Sequence, residues 1–210
     1  MSLFRFPLLA ALLAAAAGVL AAQSADILPE ESLRGWTRIP IPPVDGLKPE
    51  LQWRVDSAHR ELLCSGRGQH EWLRYDKLLG DFVLDVDWRF TPKGNVKYNS
   101  GIGVRLSQYG ELWAQAQTGL SGGYLFGDNL VDGAIQRFNL SKQMKENRVK
   151  PAGEWNHYQV RAEGDRITLS VNGAVVSEVS GYALRRGYLG LEAEGHEITF
   201  RNLRLQIIAP

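Results

Sequence analysis

The sequence predicts an all-β protein, a sandwich or jelly roll of many short strands, and three observations predict it. Several segments alternate apolar and polar residues with period two, the spacing of a strand with one buried and one wet face. Glycines, prolines and one Asn-Gly pair punctuate these segments at short intervals. No stretch carries the apolar repeat of a convincing amphipathic helix.

The N-terminus stands outside this pattern. A short start containing Arg5 leads into an apolar run and then into small residues up to Ala22. That order is the layout of a secretory signal, and the run is shorter than the roughly 20 residues a membrane span takes. Residues 1–22 are therefore expected to be a cleaved signal peptide, 23–34 an N-terminal linker and 35–208 a single domain. The expected product is periplasmic or secreted, with no stable membrane association after cleavage. Cys64 is the only cysteine, so no intrachain disulfide can form, and in "ELLCSG" it reads as a small buried strand residue.

Within the domain, the proline-rich stretch "RIPIPPVDGLKPE" must be loop or sheet edge. "DFVLDVDWRF" sets Phe82, Leu84, Val86, Trp88 and Phe90 on one face and Val83, Asp85, Asp87 and Arg89 on the other. "YNSGIGVRLS" sets Ile102, Val104 and Leu106 toward the core. Gly101, Gly103 and Arg105 face the other way, as if two missing side chains left room beside a guanidinium. "ELWAQAQT" gathers Glu111, Trp113, Gln115 and Gln117 opposite Leu112, Ala114 and Ala116. An aromatic ring stacks on sugar C–H groups while amides read hydroxyls, so this face suits a carbohydrate groove, the alternative being that the small residues face a tight sheet-to-sheet contact and Trp113 belongs to the core. "SGGYLFGD" reads as a loop bordering that groove, and "LSKQMKENRVKP" as a polar connector.

Further on, Trp155, His157 and Gln159 oppose Tyr158 and Val160, which makes His157 the best-placed histidine for proton transfer. Ile167, Leu169 and Val171 precede the Asn172-Gly173 turn, a hairpin signal. "GYLGLEAEG" turns Leu189, Leu191 and Ala193 inward and leaves Gly190, Glu192 and Glu194 opposite, two carboxylates one strand repeat apart. In the last strand Ile198 and Phe200 differ in parity from Leu203, Leu205 and Ile207, which calls for a bulge near Arg201-Asn202.

Charge is balanced, 24 basic against 23 acidic residues, so no basic face is offered to a nucleic acid. No phosphate-binding loop, dinucleotide fingerprint or nucleophile elbow occurs. The four histidines make no metal motif by spacing.

"NSGIGVR", then "PAGEWNHYQVRAEGDRITLSVNG", then "GYLGLEAEGHEITFRNLRLQ" together resemble the DUF1080 family, also called the 3-keto-disaccharide hydrolase or 3-keto-glucoside 1,2-lyase/hydratase domain. The resemblance runs from about Gly35 to Ile208. It implies a concanavalin A-like jelly roll of two curved antiparallel sheets, with a carbohydrate groove on one face. It also implies activity on glycosides oxidised at C3, supplied by a companion sugar 3-dehydrogenase. Asn99, Ser100 and Gly101 match the family's NSG, Arg105 the arginine that closes that strand, Gln115 a glutamine, Trp155-Asn156 and Arg201-Asn202 two further words. Trp113 and Gly123 stand where acids are expected, and Glu192 where an amide is. On this reading Arg105, with Glu192 or His157 as base, would be catalytic. Asn99, Ser100, Trp113, Gln115, Gln117 and Glu194 would hold the sugar. No cofactor is expected, with a divalent cation left open; a non-catalytic glycan-binding module on the same fold is the rival.

Overall fold

A computed structural model describes residues 24–94, 96–119 and 121–208. The expected signal segment 1–22 lies outside them. In chain order the strands are β1 (Ala25–Asp26), β2 (Trp36–Pro40), β3 (Trp53–Asp56), β4 (Glu61–Cys64), β5 (Glu71–Tyr75), β6 (Phe82–Phe90), β7 (Gly101–Leu106) and β8 (Trp113–Gln117). Then come β9 (Leu125–Val131), β10 (Ala134–Asn139), β11 (Asn156–Glu163), β12 (Arg166–Val171), β13 (Ala174–Val179), β14 (Tyr188–Ala193) and β15 (Ile198–Ile207). One 3-10 turn, Pro43–Asp45, interrupts the proline-rich stretch after edge strand β2.

The strands form two antiparallel sheets. One runs β13-β12-β11-β6-β15-β4-β3, with β1 added against β15; the other runs β10-β9-β8-β7-β14-β5-β2. The last two strands of the chain thus lie inside the sheets, β15 between β6 and β4, and β14 between β7 and β5. β1 and the buried Ile27 attach part of the expected linker to the sandwich.

Alternation builds the core. Phe82, Leu84, Val86, Trp88 and Phe90 of β6 are all buried, as are Tyr158, Val160 and Ala162 of β11 and Leu189, Leu191 and Ala193 of β14. The β6 and β11 residues meet Ile102, Val104, Ala114 and Ala116 and the β14 residues from the facing sheet. At about 25 cal/mol per Å² of apolar surface, such burial is the dominant stabilising contribution. Cys64 joins this core at 0% exposure, and burial pushes its thiol pKa up to about 12, so it is no nucleophile. Asn172 and Gly173 both take positive φ, 47° and 89°, and close the β12–β13 hairpin. The bulge expected in the last strand is present: the β15–β6 register shifts between Arg201 and Arg204, and Asn202 takes φ 53°.

A second bulge was not expected, and it reverses the role of Arg105. Between the pairs Gly190↔Gly103 and Tyr188↔Leu106, β14 advances two residues while β7 advances three. Arg105 sits there with φ 50°, a conformation uncommon for a residue with a Cβ. The extra residue moves Leu106 off the core face and into a small cluster with Ile39 and Trp72. Arg105 is carried away from the open face to full burial at the end of the sandwich. There its guanidinium donates to the carbonyls of Gly164, Leu184 (3.0 Å) and Gly80 (3.3 Å) and pairs with Asp81 at 2.7 Å. It ties three inter-strand loops together and is no enolate-binding group.

Candidate functional site

The outer face of the second sheet carries a groove of about 350 Å³, lined by His70, Trp72, Asn99, Trp113, Gln115, Phe126, Arg137, Glu192 and Glu194, with Ile41 and Gly110 at its rim. That volume suits a ligand of about two rings. Alternation on the central strands places these residues: core neighbours Leu73, Ala114, Leu191 and Ala193 point inward, so Trp72, Gln115, Glu192 and Glu194 point out.

Glu192 lies at the centre of the floor. Its side chain is only 5% exposed, and its two oxygens meet His70 Nε2 at 2.8 Å and the donated Gln115 Nε2–H at 2.7 Å. Gln115 lies close to Gln117, which donates to the Asn99 side chain and to the Thr118 carbonyl. The amide chain therefore runs from the carboxylate to the groove wall, and each amide is oriented by its neighbour. Burial opposes charge on His70, but the hydrogen bond and negative charge of Glu192, joined by Glu194, outweigh it and raise the imidazole pKa. Burial, then the neighbouring Glu192 charge, raises the pKa of Glu194. One ligand atom from each of His70, Glu192 and Glu194 falls within 4.8 Å of the others, so these three could also grip a divalent cation.

The rest of the groove is aromatic. Trp72 and Trp113 lie 6.5 Å apart at 53°, and Phe126 meets Trp113 edge-on at 5.0 Å. The Arg137 guanidinium lies 5.0 Å from the Trp113 ring centre and is paired with Asp128.

The groove brings together five of the residues expected from sequence: Asn99, Trp113, Gln115, Glu192 and Glu194. Gln117 lies beneath, as a support. Ser100 is fully buried and donates to the Glu192 carbonyl at 2.8 Å, so it holds the strand and not a sugar. His157 belongs to the opposite sheet, on its far face, where it bonds Asp87 at 2.8 Å and approaches Asp85 at 3.3 Å. The core separates it from the groove, so it is not the base. Nor do Gly101 and Gly103 make room for a substrate: a Cβ on the first would collide with Gln115 and on the second with Leu106. The protein's own side chains fill that space.

Sequence reasoning missed His70, Trp72, Phe126 and Arg137. His70 was judged by ligand spacing alone, yet it shares the parity of Trp72 and immediately precedes β5. "SGGYLFGD" proved to run into strand β9, which carries Phe126.

The family described as 3-keto-alpha-glucoside-1,2-lyase-like domain matches residues 25–206. No functionally curated protein matches the sequence. Among solved structures the chain is similar to two proteins of Parabacteroides distasonis ATCC 8503 described as candidate glycosyl hydrolases. The first is 15% identical with a TM-score of 0.60, covering 84% of this chain and 90% of that one. The second is 18% identical with a TM-score of 0.59, covering 86% and 98%. The carbohydrate-binding module CBM66 of Bacillus subtilis is 16% identical with a TM-score of 0.58, covering 82% and 95%. At these identities the likeness establishes the jelly-roll fold.

Proposed function

Because the chain belongs to the 3-keto-alpha-glucoside-1,2-lyase-like family, we propose that it cleaves glycosides bearing a ketone at C3, at the place where His70, Glu192 and Glu194 meet. The observation that carries this reading is the buried Glu192 carboxylate, held by His70 on one side and Gln115 on the other, on the floor of an aromatic-walled groove.

A C3 ketone acidifies the C2 proton. A carboxylate removes that proton, and the C–H pair becomes an enolate with its charge on the C3 oxygen. Collapse of the enolate forms the C1–C2 double bond as the C1–O bond breaks, and the departing alkoxide takes a proton. The step needs one base and one electrophilic partner for the enolate oxygen. Glu194, half-buried at the polar end, serves as the base in this reading. His70, oriented by Glu192, is placed to face the oxygen. A divalent cation on the same three donor atoms would supply that positive charge instead, and activity in the presence of a chelator separates the two. Subsequent addition of water would make the net reaction a hydrolysis. The substrate requires prior oxidation at C3 by a separate dehydrogenase.

Aglycone release from 3-keto-glucosides tests the reading. Glu192→Gln and His70→Ala are each expected to lower kcat/KM by about a hundredfold or more. Undiminished release in both variants would overturn it, and sugar binding without turnover would select the glycan-binding module. We also propose export, on the layout of residues 1–22: the mature N-terminus of protein recovered outside the cytoplasm is expected at Gln23.

A further inference from the structure

We propose that the Trp113 end of the groove is the leaving-group subsite and that it takes a planar aromatic aglycone in preference to a second sugar; this rests on the cleavage reading above.

Strand register orders the groove from end to end. Glu192 stands opposite Trp72, and Gln115 opposite Phe126. Trp113 stands opposite Asp128, which in turn pairs with Arg137. Glu194 lies one strand repeat beyond Glu192, toward Asn99. Two residues along an antiparallel strand span about 6.8 Å. Gln115 and Trp113 are thus one ring-width apart along the groove, with His70 and the two carboxylates toward one end and Trp113 and Arg137 toward the other.

The polar end offers His70, Glu192, Glu194, Gln115 and Asn99, enough to read the hydroxyls and ketone of one sugar. The other end offers Trp113 and Phe126, with the Trp72 indole leaning from its place opposite Glu192 over Gly190 and Gly110 toward Trp113. Its one charged donor, Arg137, lies over the Trp113 ring with its Nε and Nη2 engaged by Asp128. A second sugar would bring a ring of hydroxyls into this end, and each one stripped of water without a partner weakens binding. An aryl ring joined through its phenolic oxygen adds no further hydroxyl. The tilt of 53° between Trp72 and Trp113 presents ring faces and edges, the geometry aromatic partners prefer.

Two measurements test this separately from the cleavage reading. Calorimetric titration of the whole protein with free phenol, and with glucose as the non-aromatic control, reads the subsite without any turnover. Phenol is expected to bind, Trp113→Ala to weaken it about tenfold, and Trp113→Phe to restore most of the loss. Turnover of a para-nitrophenyl 3-keto-glucoside is expected to exceed that of a 3-keto-disaccharide, and Trp113→Ala to erase the difference. Absence of phenol binding, binding unaffected by Trp113→Ala, or faster turnover of the disaccharide would each overturn the proposal. Intact, Trp113-dependent phenol binding with no turnover of either glycoside would uphold the aromatic subsite and sink the cleavage reading alone.

Discussion

At Arg105 a single backbone angle separates a structural residue from a catalytic one. Its φ of 50° sends a fully buried guanidinium to three carbonyls and Asp81, far from the groove. Arg105→Ala is expected to lower stability by about 3 kcal/mol, since it strands loop carbonyls and a carboxylate, while turnover per folded molecule stays unchanged. Urea unfolding paired with active-site-normalised rates checks both halves of that expectation. His157 is a second such residue. The Asp87 hydrogen bond raises its pKa above 6.5 against a smaller opposing effect of burial. Asp87 is depressed below 3.8, because the hydrogen bonds from His157, Asn202 and Arg201 outweigh its burial. A raised histidine pKa stabilises the fold below its unfolded value and loses that contribution as pH rises through the folded one. A depressed aspartate pKa loses its contribution as pH falls. The melting-temperature advantage of the wild type over His157→Gln should therefore be widest between about pH 4 and about pH 6.5 and shrink on both sides. A difference that stayed constant from well below about pH 4 to well above about pH 6.5 would contradict the pairing.

Strand alternation correctly assigned the faces of β6, β8, β11 and β14, and with them Trp113, Gln115, Glu192 and Glu194. Period two is imposed by the pleat, so it survives whatever packs above it. What alternation cannot see is a change of count. The bulge in β15 was legible because two apolar runs disagreed in parity. In β7 the bulge falls between Val104 and Leu106, both apolar and both buried, so nothing in the pattern marks it. His157 was misplaced for a different reason: alternation gives a face of a strand, but which sheet the strand joins depends on pairings tens of residues away. The strand glycines have a measurable role at this scale. A Cβ at Gly101 would push into the Gln115 side chain, the partner that orients Glu192. Gly101→Ala is expected to leave the fold intact and lower kcat/KM between about tenfold and about a hundredfold, as a displaced positioning group does. Circular dichroism with steady-state rates would check this, and full activity would show that Gln115 is dispensable.

The described residues present two polar faces across one core, the groove on one sheet and the Asp85, Asp87 and His157 cluster on the other, and the groove has depth enough to hold a ligand of two rings. The floor of that groove unites residues as distant as His70 and Glu192, separated by 122 positions. β14 closes the gap between β7 and β5, and β15 the gap between β6 and β4. While the chain is being synthesised, each sheet therefore exists only as two unjoined halves until β14 and β15 have emerged. Long-range pairing of this kind folds in about milliseconds to seconds, slowly compared with local structure. Such an order of assembly leaves both sheets open until β14 and β15 arrive to lock them at once.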